Sequence, residues 1–105
     1  WTDDNGDPDN FLYVLLDKTA AVKPAQNVAF YRNNELHELL NAARRSNDIS
    51  ERSYFYKKAQ EIVHDDVPWV PLVHATQTAA FRSNVQGFKL HPTGSKWFHQ
   101  VFFRN

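Results

Sequence analysis

No cysteine occurs among the 105 residues, which excludes disulfides, zinc–thiolate centres and thiol catalysis. Glycine is scarce, with three copies, so there is no glycine-rich loop to cradle phosphates, and no serine sits in a G-x-S-x-G elbow. The longest apolar run, Val67 to Val73, contains Pro68 and Pro71 and is too short to span a bilayer. Charge is missing by region: no Lys or Arg precedes Lys18, and no Asp or Glu follows Asp66. The cations beyond Asp66 (Arg82, Lys89, Lys96 and Arg104) are dispersed in a chain of zero net charge. They would neutralise few phosphates, so nucleic acid is not read as a partner. His37, His64, His74, His91 and His99 form neither an H-x-x-x-H nor an H-E-x-x-H pair. No catalytic residue, metal ligand or cofactor site is therefore assigned.

What the chain does have is fifteen aromatics (Trp 3, Tyr 4, Phe 8), enough for the core of one small domain. It also opens on acid. Trp1 is followed by Asp3, Asp4, Asp7 and Asp9 before any base appears. Such a cluster repels itself and calls for compensation from a cation, helix N-termini or a positively charged ligand group. Asn5-Gly6 and Asp7-Pro8 make the segment a tight turn. Asp7 and Asp9 read as turn and cap residues, with Asp9 or Asn10 capping a helix from near Phe11 to Leu16. A rigid acidic loop with a tryptophan at its mouth suits the capture of an amine. The spacing does not fit an EF-hand: with Gly6 in sixth place, Trp1 would be first and Leu12 twelfth.

Asp17 to Val28 reads as loop, broken by Pro24. Asn33 or Asn34 caps a second helix whose Leu36, Leu39, Leu40 and Ala43 share one stripe, and Arg44-Arg45 suits the negative end of its dipole. Asp48 and Glu51 form a capping-box pattern for a third helix. Phe55, Ala59, Ile62 and Val63 form its stripe, and Pro68 prevents its continuation. A short polar turn between the two makes an antiparallel hairpin. Strands are then expected at Trp69–Val73, Thr76–Phe81 and Phe88–Leu90. A final strand over 97–104, apolar on both faces, should be buried, with Gly94 turning the chain before it. Helix hairpin followed by strands is an α+β reading.

The opening W-x-x-D-N-x-D-P-D-N-F-L resembles the peptide-binding loop of the family 5 solute-binding proteins of bacterial ABC importers, the dipeptide and oligopeptide group. The similarity runs on. Tyr31-Arg32-Asn33-Asn34 through Ala43-Arg44 resembles a family helix, as does Asp48 to Arg52 leading into Tyr56-Lys57-Lys58-Ala59-Gln60. Asp66-Val67-Pro68-Trp69-Val70-Pro71-Leu72 is similar to the family's D-x-P-x-x-P-L strand start, and Val85-Gln86-Gly87-Phe88 to its late V-x-G-[FY] turn. Members are several times longer and carry these motifs at the C-terminal end. The chain also begins without methionine or a secretory signal. The expectation is thus a C-terminal fragment of a two-lobed, type II periplasmic-binding-protein-like fold. Residues 1–75 would belong to the second lobe and residues 76–105 would return to complete the first.

The resemblance implies binding rather than catalysis. Asp4 would pair with the free α-amino group of a short, dipeptide-like ligand, the Thr2 carbonyl would accept a further hydrogen bond, and Trp1 would offer an apolar wall. The partners implied are a short peptide, a membrane permease and the remainder of the parent chain. The location implied is the periplasm or cell surface, with a lipid anchor on the missing N-terminus compatible with it. Two other readings of the residues stay open: a calcium-stabilised interaction module built on loop 3–9, and a metal-dependent hydrolase around His64–His74.

Overall fold

A computed structural model describes residues 5–105. They form two compact units, Asp7–Pro71 and Leu72–Asn105, the latter taking in Asn5 and Gly6. No helix of the described residues is long and apolar enough to cross a membrane.

The first unit is built by three capped helices. Helix α1, Pro8–Leu16, starts earlier than its apolar residues suggest, because Asp7 is the cap and accepts a 2.9 Å bond from the Asp9 amide. The expected cap at Asp9 or Asn10 is therefore displaced. Pro8 explains the shift: at the first helical position its fixed φ is already helical and its missing N–H would have had no partner. Helix α2, Asn34–Arg45, is capped by Asn33, whose side chain accepts from the Leu36 amide at 2.9 Å. Helix α3, Ile49–Asp66, is capped by Asp48 through the Glu51 amide, also at 2.9 Å. Glu51 completes its capping box through an intermediary: Ser46 donates its hydroxyl to the Glu51 carboxylate (2.7 Å) and accepts the Asp48 amide (3.1 Å). Both ends of α2 meet the opposite ends of α3. Asn33 reaches Asp66, and Arg52 reaches the Ala43 carbonyl. The pair is the expected antiparallel hairpin.

Leu12, Leu15 and Leu16 of α1 pack on Leu36, Leu40 and Ala43 of α2 and on Tyr56 and Ala59 of α3. Burial of a leucine of this kind contributes about 1.5–3 kcal/mol. Of the expected α3 stripe only Ala59 is fully buried, with Phe55, Ile62 and Val63 at its margin. Tyr56 takes the deeper place, since its hydroxyl has a polar neighbour in Arg52. The loop after α1 is held from within. Asn27, 1% exposed, donates to the carbonyls of Asp17 and Tyr31 and accepts the Tyr31 amide.

The second unit departs further from expectation. Its two strands are β1, Val85–Gln86, and β2, Phe102–Phe103, antiparallel with Val85 opposite Phe103. The segments expected as strands at Trp69–Val73, Thr76–Phe81 and Phe88–Leu90 are unpaired backbone. The final strand is confined to two residues, and these are 57% and 74% exposed rather than buried. The reason is physical. Alternation and β-branching describe a surface that could be covered, whereas a strand exists only with a neighbour to complete its ladder. Val85–Gln86, expected in a turn, is the segment that supplies a neighbour. The Gly94 turn is present, with φ of 78° and its amide bonded to the His91 carbonyl at 2.9 Å.

Gly87 sets the β1–β2 contact. Its φ is +81°, and a Cβ built there would lie 2.0 Å from the Gln100 carbonyl oxygen. Gly87→Ala is therefore expected to destabilise the protein by about 2 kcal/mol or more, combining the left-handed penalty with backbone displacement. Urea unfolding would check this, and an unchanged midpoint would contradict it.

Candidate functional site

Trp1, Thr2 and Asp4, the expected ligand residues, lie outside the described residues. The described chain begins just after them. Gly6 holds φ of +77°, a conformation open to glycine at no steric cost, and Asp7 follows as the α1 cap.

Asp7 is locked by Arg52, which comes 45 residues later. The Nη2 of Arg52 spans both carboxylate oxygens, at 2.8 and 2.6 Å, and stands 3.3 Å from the Tyr56 hydroxyl. Its Nη1 donates to the Ala43 carbonyl at 2.9 Å, one of the last-turn carbonyls of α2 that have no partner within the helix. One guanidinium thus joins the start of α1, the end of α2 and the first turns of α3. Asp9 has its own arginine. Arg44 Nε lies 3.2 Å from Asp9 Oδ1, without the alignment of a hydrogen bond, and its guanidinium stacks 4.0 Å over the Tyr13 ring. Burial raises the Asp9 carboxyl above its ordinary value, and Arg44 offsets this only in part. Burial likewise raises the Tyr56 phenol, opposed by Arg52.

These pairs supply part of the compensation that composition calls for: Asp7 is met by Arg52 and the α1 N-terminus, and Asp9 by Arg44. The calcium reading loses Asp7 and Asp9 as uncommitted donors. Among the described residues no three His, Asp or Glu side chains converge where a metal could bind. His64 and His74, the pair behind the hydrolase reading, belong to different compact units.

Two further clusters brace the same unit. Asp66, at the end of α3, accepts the Tyr31 hydroxyl in a short hydrogen bond and the Asn33 amide at 2.9 Å. Those two bonds hold the Asp66 carboxyl below its usual range. Burial, together with Asp66, pushes the Tyr31 phenol up to about 12. Asp17, fully buried, accepts the Thr19 amide (2.8 Å), the Thr19 hydroxyl (2.5 Å) and His37 Nδ1 (2.7 Å). Beside α1 lies an apolar hollow of about 650 Å³ bordered by Phe11, Leu16, Val63, Trp69 and Pro71, with Trp69 edge-on to Phe11 at 6.2 Å. Sequence reasoning missed Arg52, Arg44 and the Asp17–His37 pair. The available signal was that Arg44 and Arg52 fall within the helix patterns quoted above, without their partners.

Comparison with known proteins gives the frame for this geometry. No family model matches the chain. The di/tripeptide-binding protein 2 of Pseudomonas aeruginosa is 42% identical over 101 residues, covering 96% of this chain and 19% of that protein. The heme-binding protein A of Haemophilus influenzae is 40% identical, covering 96% and 18%. Among solved structures, the ABC transporter-associated periplasmic binding protein DppA of Helicobacter pylori, in complex with the peptide STSA, aligns with a TM-score of 0.84 and 39% identity. That alignment covers all of this chain and 21% of DppA. The chain belongs to the family 5 solute-binding proteins.

HbpA2 of Haemophilus parasuis aligns over the whole chain as well, with a TM-score of 0.78 and 32% identity. The α+β architecture seen here is thus a segment of the periplasmic-binding-protein fold. The chain spans about a fifth of the length of these relatives. They are named as binding proteins, not as enzymes. The two helical patterns and the turn pattern quoted above fall on α2, on α3 and at the β1–Gly87 junction.

Proposed function

We propose that this chain is the C-terminal portion of an exported binding protein that captures short peptides for an ABC importer. Its role would be binding, with no catalysis. Residues 1–75 would form part of the second lobe and residues 76–105 would complete the first. Asp4 would pair with the ligand's α-amino group, the Thr2 carbonyl would accept a second hydrogen bond, and Trp1 would wall the side-chain space. The permease partner, the periplasmic address and any lipid anchor belong to the same proposal.

The observation that carries it is the full-length alignment of this chain with a periplasmic binding protein held in complex with a peptide. Physical chemistry supports the assignment of roles. An ammonium carries three donors, and in a closed cleft its bond to a carboxylate contributes about 1.5–3 kcal/mol. Calorimetric titration of the full-length parent tests the reading. Ala-Ala is expected to bind, and N-acetyl-Ala-Ala to bind at least about a hundredfold more weakly, because the blocked end leaves a carboxylate buried without its partner. Equal affinities would overturn it.

A second ligand class has one observation in its favour. Heme-binding protein A, at 40% identity, matches almost as well as di/tripeptide-binding protein 2, at 42%. A haem titration followed by its absorption band separates the two: saturable haem binding with no response to Ala-Ala would move the assignment to haem.

A further inference from the structure

Asn5-Gly6 is the single Asn-Gly pair in the sequence. Both residues are exposed. A Cβ built on Gly6 would meet nothing within 4 Å, and the residue holds φ of +77°. The backbone around this peptide nitrogen therefore has both space and conformational freedom. The other internal asparagines are held back by their surroundings. Asn10, Asn34 and Asn41 lie within α1 and α2. Asn27 is buried by its bonds to backbone, and Asn33 is engaged as the α2 cap and with Asp66. Asn47 and Asn84 precede Asp48 and Val85, whose side chains crowd the peptide nitrogen that follows each asparagine.

We propose that Asn5-Gly6 is a self-modification site, where the Asn5 side chain closes on the Gly6 nitrogen and is converted from amide to acid. The Gly6 amide gives up its proton to solvent base, and its nitrogen attacks Asn5 Cγ to form a C–N bond. The side-chain nitrogen departs as ammonia, taking a proton from solvent, and a five-membered imide remains. Water then opens the ring. Cleavage between Cγ and nitrogen gives aspartate. Cleavage between the main-chain carbonyl carbon and nitrogen gives isoaspartate, whose main chain runs through Cβ and Cγ. The net change is one water taken up and one ammonia released. Asn5 and Gly6 each keep an interaction of their own. An ordinary exposed hydrogen bond slows closure by no more than about tenfold. Either product adds a carboxylate to a run that already holds Asp3, Asp4, Asp7 and Asp9, raising its self-repulsion. Isoaspartate also lengthens the main chain by one atom just ahead of Asp7, the α1 cap.

The test incubates the 105-residue chain in mildly alkaline buffer, with its helices followed by circular dichroism. A synthetic peptide of residues 1–18, which ends at the first tryptic site, is incubated beside it. Fragment mass spectrometry after trypsin reads amide or acid at each asparagine, and an isoaspartyl methyltransferase labels the rearranged product. Residue 5 of the folded chain is expected to become acid at a rate within about tenfold of the peptide's, ahead of every other asparagine. Asn5→Gln should abolish both signals, because the longer side chain would have to close a six-membered ring. An amide retained at residue 5 after the peptide has converted would overturn the proposal. Acid appearing first at another asparagine would overturn it too.

Discussion

Asp4→Asn in the full-length parent is expected to weaken binding of a free-amine dipeptide by about a hundredfold or more. Asparagine keeps the shape of the side chain and one acceptor oxygen but removes the countercharge. The ligand's ammonium then enters the cleft with no opposite charge, and the desolvation that the carboxylate had offset costs several kcal/mol. At about 1.4 kcal/mol per tenfold, even the lower part of that range reaches a hundredfold. The fold should be indifferent. The sequence reads Asp4 as a turn residue, and substitutions away from caps and cores stay within about 0.5 kcal/mol. Calorimetry paired with a thermal melt checks both halves. Near-wild-type affinity, or a collapse of the melt, would remove Asp4 from the binding role.

The largest effect on stability is expected at Asp17. Asp17→Ala removes the common partner of the Thr19 amide, the Thr19 hydroxyl and His37 Nδ1. All three donors sit around a fully buried side chain. Thr19 is exposed and His37 partly so, so the loss is that of three hydrogen bonds to one buried acceptor, each contributing about 0.5–1.5 kcal/mol. Together they amount to about 2–4 kcal/mol. The node also closes α1 and starts the turn at Lys18–Ala20, so the loss would spread to both. Asp17→Asn, which retains one acceptor oxygen, should lose less. Urea unfolding of the parent and its variants is the check. A loss under about 1 kcal/mol for the alanine change would contradict this account, being the size of an ordinary surface substitution.

The helical part of the fold was legible because its instructions are local. Asn33 and Asp48 sit directly before periodic apolar residues, and each caps the helix it was expected to cap. Asp7 is legible too, as the acid before a proline, although the apolar onset at Phe11 points to a later start than Pro8 at the first helical position. The strands were not legible, since their existence depends on which segment lies alongside, and propensity carries no record of that. Phe102 and Phe103 pair with Val85 and Gln86 and remain exposed on a chain spanning a fifth of its relatives. For the candidate site, the acidic turn that leads through Asp7 into α1 could be read from the sequence. Its support could not: Arg52 and Asp7 are 45 residues apart, and His37 and Asp17 are 20 apart. Nothing in either local sequence announces the partner.

The central claim is a specific partnership between the Asp4 carboxylate and a ligand's α-amino group. The most direct test is a double-mutant cycle: wild-type parent and Asp4→Asn, each titrated with Ala-Ala and N-acetyl-Ala-Ala. If the two groups are partners, acetylation costs about a hundredfold in the wild-type protein and less than about threefold in the variant, because the interaction it removes is already gone. If acetylation costs the same factor in both proteins, the two groups do not meet, and Asp4 is not the anchor.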